Sequence, residues 1–209
     1  MQKEQKSNKN KYARERKPLI VLVCEGRNKT ETIYFNHFNK RDNPYNLKIY
    51  PSEATDPKSM HLKAKNIINE LQLDNSIGDR IFCLVDIDLN QNQANKIIEL
   101  RKLNSKQKCK IEFIVSNPCF EIWLLYYFTK HPKIENSSQN VKKQLKKYDS
   151  NYSENYDIIS KNNLNENYLI ALNNADLKNN TINKNIPLED KNPYTEIVDL
   201  INLLTNYKK

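Results

Sequence analysis

The chain has 209 residues, a net charge of +9 at neutral pH and a hydrophobic fraction of 38%, with a pI near 9.2 and a mean hydropathy of −0.84. That length suits one domain of ordinary size with room for a buried core, and the absence of any apolar run near ~20 residues excludes a helical membrane span. The excess of Lys and Arg favours a polyanionic partner, because each basic side chain placed on a phosphate releases a bound counterion.

The first seventeen residues concentrate Lys3, Lys6, Lys9, Lys11, Arg14, Arg16 and Lys17 against Glu4 and Glu15. They lack the apolar run of a signal peptide and read as a basic flexible arm. Such an arm is either solvated or touches nucleic acid, with Arg14, Arg16 and Lys17 as its candidate phosphate contacts. The four cysteines, Cys24, Cys83, Cys109 and Cys119, show no C-x-x-C pairing, and His37, His61 and His131 are scattered. Buried free thiols in a reducing cytosol are expected, not a zinc site, and a cytoplasmic protein.

From Pro18 the chain alternates two patterns. Pro18 to Cys24 is a continuous apolar run rich in β-branched residues, as a strand buried on both faces requires. After the turn Glu25-Gly26-Arg27-Asn28, the helical spacing of Ile33, Tyr34, His37 and Phe38 predicts a helix from about Lys29 or Thr30. Leu47 to Tyr50 alternates like an edge strand. Asp56-Pro57 offers an N-cap followed by a proline at the first helical position, and Leu62, Ile67, Ile68 and Leu71 mark that helix. Gly78 turns the chain into a third strand, Arg80 to Val85, which ends in Asp86-Ile87-Asp88.

A helix with Ala94, Ile97, Ile98 and Leu100 comes next, then a fourth strand from Lys110 to Val115. Ser116-Asn117-Pro118 is read as opening a helix from Cys119 to Phe128. The order β-α-β-α-β-α-β-α predicts an α/β fold with a mostly parallel central sheet flanked by helices. Beyond residue 130 no further strand is expected. Residues 131–209 read as a helical appendage packed on a core of residues 18–130, with the last helix starting at Asn192-Pro193. The apolar face of that helix either packs internally or forms a dimer contact.

Ligands of open α/β sheets bind outside the carboxyl ends of the strands. Glu25 follows the first strand, and Asp86 and Asp88 follow the third, so the three acids are expected at one rim. Neighbouring strands lie about 4.8 Å apart, close enough for acids on them to share a hard cation such as Mg²⁺ or Mn²⁺. Taken alone, Asp86-x-Asp88 is equally a helix cap. Glu121 lies in the apolar block Cys119-Phe120-Glu121-Ile122-Trp123-Leu124-Leu125, so it needs a partner: a metal, a lysine or a backbone cluster. Asn117 is either a cap or a site residue, and Trp123 reads as core.

The segments Val23-Cys24-Glu25-Gly26, Lys29-Thr30-Glu31 and Tyr34-Phe35 resemble the opening motif of the RloB-like family. Asp86-Ile87-Asp88, the block from Ser116 to Leu125, and Asn192-Pro193-Tyr194-Thr195 resemble its later motifs, so the similarity covers nearly the whole chain. The resemblance implies a Toprim-like catalytic core at residues 18–130 and a metal-dependent nuclease in bacterial defence against phage. It assigns the general acid/base role to Glu25 and metal binding to Asp86 and Asp88. The turn after Glu25 is one residue longer than is usual in the family. Glu31 is therefore either a second metal ligand or a first-turn acid favoured by the helix dipole.

Together with these residues, the resemblance implies phosphodiester cleavage with Mg²⁺ or Mn²⁺ held by Glu25, Glu31, Asp86, Asp88 and Glu121. Arg27, Lys29 and Asn117 would meet the phosphate, and Lys29 is either part of the catalytic machinery or a solvated turn residue. The basic charge fits equally well a non-catalytic nucleic-acid-binding or sensor subunit working with a partner defence protein. A primase-type nucleotidyl transfer is a third reading, weakened by the lack of a zinc module. No membrane partner is expected.

Overall fold

The computed structural model describes residues 16–25, 30–103 and 108–207. Four parallel strands form the sheet: β1 (Leu19–Cys24), β2 (Asn46–Pro51), β3 (Arg80–Asp86) and β4 (Ile111–Asn117). A short fifth strand, β5 (Tyr194–Thr195), pairs antiparallel with β4, giving the order β2-β1-β3-β4-β5. The mostly parallel sheet flanked by helices is the expected α/β arrangement and is consistent with a Toprim-like fold.

The handedness of the crossovers decides which helix covers which face. From β1 to β2 the chain steps one way along the sheet, and from β2 to β3 and β3 to β4 it steps the other way. Right-handed connections then require the first helix on one face and the next two on the opposite face. Helix α1 (Thr30–Asn36) accordingly packs Tyr34 and Phe35 with Ile20, Leu22, Phe82 and Leu84. Helices α2 (Pro57–Leu71) and α3 (Gln91–Leu103) pack Met60, Ala64, Ile67, Ala94 and Ile97 with Val21, Val23, Ile81 and Cys83. Alternate residues of β1 thus serve opposite cores, as the period of two in a strand dictates.

Helix α2 begins as expected, with Asp56 accepting from the N–H groups of Lys58 and Ser59 ahead of Pro57. Its inward face runs through Met60, Ala64 and Ile67, while Leu62, expected on that face, points to solvent. Gly78 adopts φ +89°, and a Cβ there would lie 2.8 Å from the Tyr207 hydroxyl and 3.0 Å from Pro18. A side chain is excluded by both conformation and space.

The later elements differ from the sequence expectation. Strand β4 runs on through Ser116 and Asn117, so these residues do not open a helix. Helix α4 is only Glu121–Leu125, continued by turns to Phe128. Helices α5 (Ser138–Leu145), α6 (Ile158–Lys161) and α7 (Tyr168–Thr181) follow. Asn192-Pro193 leads into β5, and the last helix, α8 (Ile197–Thr205), starts only after it. Short strands such as β5 carry too few residues to show a period. Val141, Leu145, Ile158, Ala171, Ile197, Ile201 and Leu204 join the same core as α1 and α4, so residues beyond 130 complete one layer of the sandwich. The apolar face of α8 is buried within the chain. Trp123 is fully buried, and all four cysteines are buried and free.

Candidate metal centre

The reversal in strand order occurs at β1, so the crevice between β1 and β3 is the topological switch point of the sheet. In the β1–β3 register Cys24 lies opposite Leu84, which sets Glu25 beside the end of β3. There the Asp86 N–H donates to Oε2 of Glu25 at 2.8 Å. The sheet therefore brings these two acids together, one from each strand.

The chain then makes a tight turn. Ile87 is buried as an anchor, and its N–H donates to the Ser116 carbonyl at 2.9 Å. The Asp88 N–H donates to the Pro118 carbonyl at 3.0 Å. Asp88 and Leu89 take φ of +52° and +58°, a left-handed conformation that costs a residue such as Leu on the order of 1–2 kcal/mol. Asn117 holds the turn in that state. Its Oδ1 accepts from the Leu89 N–H at 3.0 Å, and its Nδ2 donates to the carbonyls of Glu189 and Lys191, each at 2.8 Å. Asn117 is fully buried, so its expected contact with nucleic acid is corrected. It fixes Asp88 and ties that turn to the segment before β5. Asp88 itself is exposed and accepts from the Ser138 hydroxyl at the start of α5.

Two further carboxylates lie behind this rim. Glu31, on the first turn of α1, is buried, and its Oε2 has no hydrogen-bond partner. Glu121, at the start of α4, is equally buried. The Tyr152 hydroxyl donates to its Oε1 at 2.8 Å, and Nζ of Lys142 lies 3.7 Å from the same oxygen. Lys142 also pairs with Glu154 at 2.5 Å. For Glu121 a lysine and a tyrosine are thus the partners in this structure.

Burial dominates the electrostatics. It pushes Glu25 up to about 7, with the Asp86 N–H opposing and the charge of Asp88 adding. It pushes Glu31 up to about 8, with Glu121 and Glu25 adding to the rise. Asp86 rises well above the ordinary carboxylate range, through burial and then the charges of Glu25, Glu31 and Glu121. Asp79, at the other end of the sheet, shows that burial alone does not force this result. Burial opposes its ionisation too, but Arg16 and the N–H groups of Leu19 and Asp74 outweigh that and hold Asp79 below its usual value. At the rim such donors are fewer: Glu25 accepts from the Asp86 N–H, but Oε2 of Glu31 has no partner, which is the condition in which a cation is favourable.

The donor set suits a hard divalent ion: carboxylate oxygens only, one of them buried without a partner. Among the described residues, no three His, Cys, Asp or Glu side chains form a closed metal-binding group. Mg²⁺ commonly takes one or two protein carboxylates and completes its shell with water and substrate phosphate. Asp86 and Asp88, with Glu25 and Glu31 near enough for their charges to act on Asp86, meet that smaller requirement.

The basic residues assigned to the site from sequence separate. Arg16 and Lys17 precede β1 and sit at the opposite end of the sheet from Glu25. Arg16 donates to both oxygens of Asp79, at 2.9 and 2.6 Å, and Lys17 donates to the carbonyls of Arg41 and Asn43. Their role in phosphate contact and their place in a free arm are therefore corrected: both are anchors of the amino-terminal rim. Arg14, Arg27 and Lys29 lie outside the described residues. Sequence reasoning missed Ser138, Lys142 and Tyr152, which reach the rim from a region with no motif of its own. The one available signal was the cluster of lysines around Lys142. A cavity of about 640 Å³ lies away from the rim, lined by Tyr34, Phe38, Tyr45, Tyr127, Tyr168 and Tyr207 among others, and includes none of the five acids.

Residues 20–204 match the family model for RloB-like proteins. No curated protein and no solved structure matches the chain. No helix among the described residues is long and apolar enough to cross a membrane. The match takes in every strand of the sheet but the first residue of β1, all the helices but the end of α8, and all five rim acids, and on it the chain belongs to the RloB-like protein family.

Proposed function

We propose that the protein is a metal-dependent nuclease that hydrolyses phosphodiester bonds and acts in bacterial defence against phage. The observation that carries this reading is the meeting of Glu25 and Asp86 across the β1–β3 switch point, backed by the buried Oε2 of Glu31, which has no hydrogen-bond partner. Asp86 and Asp88, with Glu31 behind them, would hold Mg²⁺ or Mn²⁺. When bound, such an ion polarises the scissile phosphate and stabilises the leaving oxygen.

Glu25 supplies the proton chemistry. With its pKa pushed up to about 7, it populates both forms near neutral pH, as a group must that accepts a proton from attacking water or returns one to the leaving oxygen. Asn117 positions Asp88 through the Leu89 turn. The turn residues Arg27 and Lys29 are assigned to the phosphate charge by sequence position alone. The defence role rests on family resemblance.

The test is cleavage of DNA and RNA in Mg²⁺ or Mn²⁺ by the wild type and by the double variant Asp86→Ala, Asp88→Ala. Loss of at least ~100-fold in rate is expected from removing the ligands of a catalytic metal. Activity that survives in a folded double variant would refute the assignment. A second reading, a non-catalytic nucleic-acid-binding or sensor subunit, is favoured by the lack of a closed three-acid group among the described residues. It predicts salt-sensitive binding with no metal-dependent cleavage.

A further inference from the structure

The rim poses an electrostatic problem for a nucleic-acid substrate. Glu25, Glu31, Asp86, Asp88 and Glu121 repel a phosphate backbone, and Arg16 and Lys17 are engaged at the far end of the sheet. Any path for the strand needs cations nearer the acids. Helix α5 and the turns after it supply them. Helix α5 starts at Ser138, whose hydroxyl donates to Asp88, and one turn later Lys142 faces Glu121 and Glu154.

Beyond Lys142, the outward side of α5 and of the helical turns that continue it to Tyr148 carries Lys143, Lys146 and Lys147. Their spacing of three and four residues puts them on one face. All three are exposed, and none is ion-paired among the described residues. Lys133 and Lys130 are exposed on the preceding loop, whose Lys133 N–H donates to the Gln144 side chain of α5 at 3.2 Å. Residues 130–147 contain six lysines against one glutamate. From Ser138 to Leu145 the helical rise covers about 10 Å and the turns carry the chain on to Lys147, so the basic ridge begins at the acid rim and leads away from it.

The ridge ends in an aromatic platform. Tyr148 packs face to face on Phe128, with centroids 5.2 Å apart and planes 19° from parallel. Phe128 is anchored against the main core, while Tyr148 remains 46% exposed. A ring supported on one face and open to solvent is a stacking surface for an unpaired base, and a duplex offers no such base along its length.

We propose that the α5 ridge, Lys143, Lys146 and Lys147 with Tyr148 at its end, binds single-stranded nucleic acid and leads its backbone to the carboxylate rim. The lysines neutralise phosphates without reading sequence, and the tyrosine stacks one base. The inference rests on the nuclease reading for its purpose. Binding measured without divalent cations and cleavage measured with them can nevertheless fail separately.

The experiment is fluorescence anisotropy of a labelled single-stranded oligonucleotide, and of the same strand in a duplex, in EDTA across a salt series. The wild type is expected to prefer the single strand. The triple variant Lys143→Ala, Lys146→Ala, Lys147→Ala should bind at least ~10-fold more weakly, with the log K against log salt slope reduced by about 2. Tyr148→Ala should weaken single-strand binding by ~5-fold or more, and Tyr148→Phe should restore it. The comparison triple Lys48→Ala, Lys65→Ala, Lys102→Ala removes equal charge from exposed positions on β2, α2 and α3. An equal loss in that comparison, unchanged binding in the α5 triple, or a wild type that prefers duplex would overturn the proposal.

Discussion

Glu25, Glu31 and Asp86 are carboxylic acids placed where donors are scarce, and their protonation couples the site to stability. The pKa of Glu25 rises from an ordinary 4.5 to about 7, and that of Glu31 from 4.5 to about 8. Between those limits the folded chain holds protons that the unfolded chain has released. Stability from these groups is therefore full below about pH 4.5 and is lost as pH rises through 7 to 8. Acids with lowered pKa, such as Asp74 at about 2, titrate below that window and do not obscure it. In EDTA, the melting temperature should fall by several degrees between pH 5.5 and 8.5. Excess Mg²⁺ should recover much of the loss at pH 8.5 by mass action, and Glu31→Gln should flatten the slope. A flat profile in differential scanning calorimetry would contradict the placement of these acids. At this scale the sequence was informative for Glu25, Asp86 and Asp88, because a strand end fixes where the next side chain lies. It was silent on the partner of Glu121, since Tyr152 and Lys142 arrive from elements without a readable position relative to the sheet.

The Asp86–Asn90 turn depends on an element that sequence reasoning misplaced. Reading Ser116-Asn117-Pro118 as a helix start made Asn117 a cap or a ligand contact, but β4 extends through it and the side chain points into the turn. Apolar strand and apolar helix are hard to separate by periodicity when a block is buried on every side, and the Val115–Leu125 stretch is such a block. Asn117→Ala leaves the Leu89 N–H and the carbonyls of Glu189 and Lys191 without their partners. With ~1–3 kcal/mol for each buried group stranded, offset in part by water, the variant should lose on the order of 3 kcal/mol. Urea unfolding measures this directly. A loss below about 0.5 kcal/mol, the usual range of surface substitutions, would mean that the turn holds itself.

For the molecule as a whole, the sequence division at residue 130 does not coincide with a division of the core. The face of the sheet that carries Ile20, Leu22, Phe82, Leu84 and Ile114 is covered by α1, α4 and the helices beyond residue 130 together. β5 adds a strand to β4 from the same region. The sequence expectation of a helical region packed on the sheet named neither the face it covers nor the residues it meets, because an apolar stripe reports that a face is buried without naming its partner. A chain ending at residue 130 would expose that face to water. It should show no cooperative thermal transition and should aggregate on size exclusion. A monodisperse truncation with a sharp transition would instead make residues 18–130 an independent domain.

The proposed function depends on whether the acids at the β1–β3 switch point hold a divalent cation. The most direct measurement is anomalous diffraction from crystals soaked in Mn²⁺. The account predicts a peak at the Asp86 carboxylate, on the rim it shares with Asp88 and Glu25, lost in Asp86→Asn. A fully soaked crystal with no peak at that rim, or with its peak elsewhere, would contradict it.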